Sequence, residues 1–178
     1  LALQGGFAAH ARVLGGLGAE VREVRTPADL DGLDGLVIPG GESTTMTLGI
    51  EREGLAEPLR ALVRSGAPVL GTCAGMIMLD REHLGLADYT CRRNAFGRQI
   101  RSFEADLDIP GIYGEPVRAV FIRAPWIDEH GDAVEVLAEV DGHVVAARQD
   151  NMLVISFHPE IAGETRLHEL FLERIASG

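Results

Sequence analysis

Two short stretches carry residue types that can do chemistry together. The first is Gly71-Thr72-Cys73-Ala74-Gly75, preceded by the apolar Pro68-Val69-Leu70 and followed by Met76-Ile77-Met78-Leu79. It reads as a strand, a tight glycine-flanked turn with a cysteine at its apex, and a helix. That is the logic of a nucleophile elbow with Cys in the place of Ser. The glycines let the backbone turn sharply and let other segments approach it. A sulfur beside a helix N-terminus sits where the dipole favours thiolate, and the free N–H groups there can receive a developing oxyanion. A small buried cysteine at a strand end gives the same local pattern without any chemistry.

The second stretch is His158-Pro159-Glu160, directly after the apolar run Met152 to Phe157. A cysteine nucleophile needs a base, and the base needs an orienting partner. In an extended segment residues i and i+2 project to the same side. Glu160 is therefore expected to accept a hydrogen bond from one His158 nitrogen and leave the other for the sulfur. Pro159 stiffens the link by fixing φ. Alone, the tripeptide is also what a strand-end turn with a solvated Glu looks like. The other histidines read as ordinary: His10 and His168 in helices, His83 and His130 in polar loops, His143 just after a hairpin turn.

The elements that must position these residues alternate. Leu1-Ala2-Leu3 reads as the end of a buried strand that begins upstream of Leu1, stopped by Gln4-Gly5-Gly6. A helix follows, with Phe7, Ala11, Leu14 and Leu17 near one face and Gly18 as its stop. Val21 to Val24 reads as a strand, and Pro27 to Gly35 as a connection with one helical turn around Asp29-Leu30. Leu36-Val37-Ile38 is a buried strand ending in Pro39-Gly40-Gly41, a turn able to present N–H groups in a nest. A helix begins over Thr44 to Leu48, and an amphipathic helix spans Arg52 to Arg64 with Leu55, Leu59, Leu62 and Val63 inward. Leu84 to Gln99 is irregular. Val117 to Ile122 is a strand, and Val134 to Val140 with His143 to Arg148 form a hairpin about Asp141-Gly142. A helix closes the chain near Glu164 to Ile175. The alternation predicts an α/β fold: a three-layer, doubly wound, mostly parallel (mixed) sheet with helices on both faces, in one domain over 1–178. In such sheets chemistry sits at the carboxyl ends of the strands, where Gln4-Gly5, Gly40-Gly41 and Cys73 fall.

Composition excludes several classes. The net charge is −11, from 16 basic and 27 acidic residues, and the sequence contains no Lys. An acidic chain without a basic cluster is a poor nucleic-acid binder and has no attraction to an anionic membrane surface. No apolar run approaches the roughly 20 residues of a membrane span. Two cysteines, Cys73 and Cys91, make no disulfide framework, and a reducing, cytoplasmic setting is expected. No Cys/His spacing resembles a zinc site. Cys91 has no assigned role.

Taken together, Gly71-Thr72-Cys73-Ala74-Gly75 and Phe157-His158-Pro159-Glu160 resemble the class I (triad) glutamine amidotransferases. More narrowly, Leu3-Gln4-Gly5, Pro39-Gly40-Gly41-Glu42-Ser43-Thr44-Thr45, Arg93-Asn94, Phe96-Gly97-Arg98-Gln99 and Phe121-Ile122-Arg123-Ala124-Pro125 resemble the glutaminase subunits of pyridoxal 5′-phosphate synthase. The resemblance covers essentially the whole chain. It implies that Cys73 attacks the glutamine side-chain amide to give a glutamyl thioester, that His158 is base and then acid, and that Glu160 orients His158. It implies glutamine contacts from Gly41, Glu42, Ser43, Arg93, Ile122 and Arg123. The oxyanion hole would be the Ala74 N–H with one from the Gly40-Gly41 turn. Arg93 and Arg123 also make chemical sense, because a guanidinium can hold an α-carboxylate in bidentate fashion; for an arbitrary Arg in an acidic protein, a surface ion pair is the simpler reading.

The same resemblance implies L-glutamine as substrate, no cofactor or metal, and a separate synthase subunit that receives the ammonia in a large hetero-oligomer. It further implies weak activity in the isolated chain. Two departures stand out: the chain is several residues short between Glu82 and His83, and Gly5-Gly6 replaces what is more often one glycine. Other readings are the glutaminase of another ammonia-consuming synthase, such as imidazole glycerol phosphate synthase; a non-catalytic regulatory subunit; and a cysteine-based stress hydrolase of similar layout. Intact Cys73, His158 and Glu160 speak against the regulatory subunit, and the motifs outside the triad against the other two.

Overall fold

The structure, a computed structural model, describes residues 1–93 and 102–177. Asn94 and the Phe96-Gly97-Arg98-Gln99 motif lie outside the described residues. The first helix, α1 (Phe7–Gly16), buries His10 and Leu14 and ends just before Gly18, whose φ of +89° suits the stop. A single 3₁₀ turn covers Pro27–Leu30, as expected. Strand β1 (Leu36–Ile38) leads to α2 (Ser43–Arg52) and α3 (Ala56–Arg64). The second of these begins at Ala56, beyond Gly54 (φ +67°), rather than at Arg52, which instead ends α2. Helix α3 turns Leu59 and Val63 inward, each buried side chain contributing about 2 kcal/mol.

Strand β2 (Val69–Thr72) runs into the short helix α4 (Ala74–Leu79). After α4 the chain turns back at once. The buried Asp80 carboxylate accepts the Glu82, His83 and Cys91 N–H groups and the His83 ring, which closes the short connection after Glu82. The remaining elements are β3 (Tyr89–Arg92), β4 (Ser102–Leu107), β5 (Val117–Ile122), β6 (Trp126–His130), β7 (Glu135–Val140), β8 (His143–Gln149), β9 (Met152–Ile155), α5 (Pro159–Ala162) and α6 (Arg166–Ala176). Asp141 and Gly142 both have positive φ (+51° and +75°), the geometry expected of the two-residue turn between β7 and β8.

The main sheet has the order β1-β2-β9-β8-β6-β3, with β7 on β8. Pairing is parallel from β1 through β2 to β9 and antiparallel from β9 onward. Strands β4 and β5 form a separate antiparallel pair. Successive residues of the central strands serve opposite faces. Val69 and Val154 join the core under α2, α3 and α4, whereas Leu70 and Ile155 join the core that holds Leu14 of α1 and Phe171 of α6. This is the expected α/β architecture, a mixed sheet with helices on both faces, but parallel pairing does not prevail: among the described strands it is confined to β1, β2 and β9.

Three expectations about strands also fail. Leu1–Leu3 and 21–24 are not strands; they lie side by side through one bond, Ala2 N–H to the Val24 carbonyl at 2.8 Å, and neither joins a ladder. The region read as irregular contains β3, because alternation is hidden by Cys91 and a register shift between Thr90 and Cys91. Strand β6 follows Pro125 directly, where its charged tail Asp128-Glu129-His130 disguised it as loop.

Candidate active site

The sheet order builds the site. Strands β1, β2 and β9 are parallel neighbours in register, with Ile38 opposite Gly71 and Thr72 opposite Ile155. Their carboxyl ends therefore deliver the Gly40-Gly41 turn, Cys73 and His158 side by side, with Cys73 in the middle. The Cys73 N–H extends the ladder by one bond to the Ile155 carbonyl (2.8 Å). Immediately afterwards the backbone reverses into α4, and Cys73 takes φ +50° and ψ −107°, a strained conformation for a residue with a side chain. Its side chain is buried.

His158 is placed by its own N–H, which donates to the Val120 carbonyl on β5 (2.9 Å). Its Nδ1 lies 2.8 Å from Glu160 Oε1. The expected pair is present, but not through extended backbone. His158 is the N-cap of α5, Pro159 occupies the first helical position, which suits its fixed φ, and Glu160 turns back from the second. Burial pulls the His158 pKa down, but hydrogen bonds with Cys73 and Glu160 and the charge attraction of both outweigh it, raising the value to about 10. Burial alone would raise the Glu160 pKa; the His158 hydrogen bond and the neighbouring histidines reverse this and hold it below the usual carboxylate value. The arrangement is a sulfur, an imidazole that favours its protonated form, and a buried carboxylate in line.

The turn after β1 is held from below. Gly6 N–H donates to the Gly40 carbonyl (2.9 Å), and the Gln4 side-chain carbonyl accepts the Glu42 N–H (2.7 Å). Gly5 (φ +93°) is packed so closely that a Cβ there would lie 1.9 Å from the Gly40 oxygen. Glu42 caps α2: its carboxylate accepts Thr44 N–H (3.2 Å), Thr45 N–H (2.8 Å) and the Thr45 hydroxyl (2.9 Å). The Thr45 backbone bond is the main reason its pKa falls to about 2. Arg93 reaches across from the end of β3 to Glu42 Oε1 (3.1 Å) and Thr44 Oγ1 (3.3 Å). Arg123 stands at the end of β5 with φ +45°, a strained position that aims it at the same region.

One cleft of about 490 Å³ collects these groups. It is lined by Cys73, His158 and Glu160, by Gly40, Gly41, Glu42 and Ser43, by Ala74, and by Arg93, Ile122 and Arg123. Every residue singled out in the sequence for catalysis or binding therefore borders it. So does Gln4, expected at a strand end beside the site, and so do Gly6 and Ile161, for which the sequence pointed to no role. Among the described residues no group of three or more His, Cys, Asp or Glu is arranged to hold a metal ion. No described helix is long and apolar enough to cross a membrane.

Two further residues lie behind the site. His10 of α1 and His168 of α6 are buried, with His10 Nδ1 2.8 Å from His168 Nε2 and His10 Nε2 3.5 Å from Glu160 Oε2. The sequence did hold a signal. His10 falls on the apolar stripe of Phe7, Ala11 and Leu14, and His168 adjoins Leu167 and precedes Phe171 by one turn, so each is a polar residue on a core-facing stripe.

Comparison with known proteins agrees with this geometry. The family model described as the SNO glutamine amidotransferase family matches residues 1–177. Similar relatives are named pyridoxal 5′-phosphate synthase subunit PdxT. The protein from Rhodococcus opacus is 50% identical over 97% of this chain and 94% of its own. The one from Streptomyces avermitilis is 53% identical over 98% and 92%, and the one from Pelotomaculum thermopropionicum 54% over 98% and 92%. A solved structure described as a glutamine amidotransferase superposes with a TM-score of 0.91 at 42% identity, covering 98% of this chain and 96% of the other. PurLQS from Thermotoga maritima shares the fold, with a TM-score of 0.73 at 19% identity over 99% and 95%. The resemblance first carried by the cysteine turn and the His-Pro-Glu strand end thus extends along the whole length: the chain belongs to the SNO glutamine amidotransferase family.

Proposed function

We propose that this chain is the glutaminase subunit of a pyridoxal 5′-phosphate synthase, acting as one domain over 1–178 in the cytoplasm. It hydrolyses L-glutamine to L-glutamate and ammonia, and the ammonia passes to a synthase subunit within a large hetero-oligomer. Relatives that carry this subunit's name at 50–54% identity over most of both chains support the pathway. The observation that carries the chemistry is the line of Cys73, His158 and Glu160 on one cleft.

The steps follow from those groups. The Cys73 thiolate, with protonated His158 as its counter-ion, attacks the side-chain amide carbon of glutamine. The oxyanion is received by the Ala74 N–H and an N–H of the Gly40-Gly41 turn. His158 gives its proton to the leaving nitrogen, ammonia departs, and a γ-glutamyl thioester remains. His158 then takes a proton from water, which attacks the thioester and releases glutamate. Glu160 holds the imidazole in the required orientation throughout. Arg93 and Arg123 receive the α-carboxylate, while Gly41, Glu42, Ser43 and Ile122 complete the glutamine site. No metal or cofactor takes part.

Ammonia release from L-glutamine, measured with and without the synthase subunit, tests this reading. Release that rises with that subunit and vanishes in Cys73→Ala is expected. Release indifferent to it leaves a glutaminase with another partner, and no release in either condition sinks the enzyme.

A further inference from the structure

Glu160 has two carboxylate oxygens and only one is accounted for by His158. Oε1 takes the His158 ring at 2.8 Å. Oε2 is buried and makes no hydrogen bond among the described residues. A bare, buried carboxylate oxygen is costly, because its lost hydration is not replaced. The nitrogen facing it is His10 Nε2, 3.5 Å away, which also lies 3.1 Å from Thr72 Oγ1. The other His10 nitrogen, Nδ1, is 2.8 Å from His168 Nε2. The groups about His10 come from three elements and the first residue: Glu160 on α5, His168 on α6, Thr72 at the end of β2, and, through charge, His158 at the start of α5 and the Leu1 amino group.

Two proton arrangements satisfy the short His10–His168 contact. In one, His168 donates from Nε2 to His10 Nδ1, and His10 carries its own proton on Nε2, toward Glu160 and Thr72. His168 Nδ1 is then a neutral lone pair with no hydrogen bond, although the Glu164 carbonyl close to the ring favours a proton there. In the other, His10 donates from Nδ1, and its Nε2 lone pair faces a carboxylate. The first leaves a neutral lone pair beside the Glu164 carbonyl; the second lets the Thr72 hydroxyl donate to His10 Nε2 but leaves an anionic oxygen unpaired and opposed. A buried charge is the more expensive orphan, so the first wins.

We propose that His10 is a positioning residue for the catalytic carboxylate: its Nε2–H holds Glu160 Oε2 while His158 holds Oε1. The proposal rests on the reading of Cys73, His158 and Glu160 as a catalytic triad. The carboxylate is gripped at both ends, so it cannot rotate away from His158. His168 in turn fixes the His10 tautomer, the role a distal acceptor or donor plays for any functional histidine. Through this pair, α1 and α6 on one face of the sheet set the orientation of the base at its edge.

The test uses the full chain. In ¹⁵N-histidine-labelled protein, nitrogen–proton correlation spectra are expected to show His10 protonated on Nε2, with its signals displaced in Glu160→Gln. Ammonia release in the presence of the synthase subunit should show kcat down by about 10- to 100-fold in His10→Leu, the range typical of residues that orient a functional group from behind, with KM for glutamine unchanged. His10→Gln, whose amide N–H reaches the Nε2 position, should recover most of this loss. His10→Asn, too short to reach, should not, and it replaces the Leu variant if that fails to fold. Alkylation of Cys73 by iodoacetamide should rise at higher pH in the defective variants, because a less firmly held imidazolium stabilises the ion pair less. A His10 proton on Nδ1, or a folded His10→Asn with unchanged kcat and alkylation profile, overturns the proposal. Absence of ammonia release by the wild type would instead defeat the glutaminase reading, and the spectra and alkylation profile would still judge the His10–Glu160 contact.

Discussion

Gly75 lies directly beneath Ile38: a Cβ at position 75 would stand 1.9 Å from the Ile38 carbonyl oxygen and 2.7 Å from its carbon. The last residue of β1 and the first turn of α4 touch only because this position has no side chain. That contact sets the distance between the Gly40-Gly41 turn and Cys73. Backbone cannot swing aside as a side chain can, so Gly75→Ala must push β1 away from β2. The expected result is a loss of about 1–3 kcal/mol, the usual range for overpacking, together with loss of glutaminase activity. Gly6→Ala is the contrasting case, since its Cβ would meet Glu160 Oε1 at 3.6 Å in ordinary contact, and Gly6 has φ −80°. Chemical denaturation and ammonia release on both variants should show the first crippled and the second close to wild type.

Cys73 holds a strained backbone at the turn into α4. At φ +50° and ψ −107° a side chain costs on the order of 1–3 kcal/mol. Glycine escapes that cost but adds about 0.5–1 kcal/mol of unfolded-state entropy. Cys73→Gly is therefore expected to be more stable than Cys73→Ala by about 1 kcal/mol, with neither releasing ammonia. Equal unfolding midpoints for the two would show that the elbow is unstrained.

Much of this site was legible because it sits on strand ends. Cys73 and His158 each follow a buried apolar run, and the sequence marks such ends with Gly and Pro. What the sequence hid was long-range pairing. Nothing in Leu1–Leu3 or 21–24 tells that they stop at one mutual hydrogen bond. Nothing local tells that Gln4 holds the Glu42 N–H, 38 residues away. His10 and His168 looked ordinary for the same reason: their partners are each other and Glu160, 158 and 150 positions apart from His10, and only the packing of α1, α5 and α6 brings them together.

Arg93 separates binding from stability. Its bridge to Glu42 joins two half-exposed side chains, 48% and 49% accessible. Exposed pairs contribute about 0–1 kcal/mol, so Arg93→Ala should leave the unfolding midpoint within error of wild type. If Arg93 receives the glutamine α-carboxylate, KM should nevertheless rise by about tenfold, one charge-assisted hydrogen bond being worth roughly 1.5–3 kcal/mol. Arg93→Lys should restore charge but not the bidentate grip, and recover only part of the loss. An unchanged KM in Arg93→Ala would remove this residue from the glutamine site.

The pH dependence of stability should expose the Cys73–His158 pair. His158 has its pKa raised to about 10 in the folded chain, with burial opposing and Cys73 and Glu160 supporting the charged form. A group whose folded pKa lies above its unfolded value binds a proton more tightly when folded. Its stabilisation is complete below the unfolded value of about 6.5 and is lost as pH rises toward 10. His10 works in the opposite direction: burial lowers its pKa to about 4, so it opposes folding as pH falls from about 6.5 toward 4. Stability should thus be greatest near pH 6–7 and decline on both sides. Replacing Cys73 with Ala removes the foremost of the interactions that raise the His158 value, and so should flatten the alkaline limb between pH 7 and 10 while leaving the acid limb in place. Unfolding midpoints of wild type and Cys73→Ala across pH 4–10 measure both limbs. Parallel curves for the two proteins would mean that the sulfur and the imidazole do not share a charge pair.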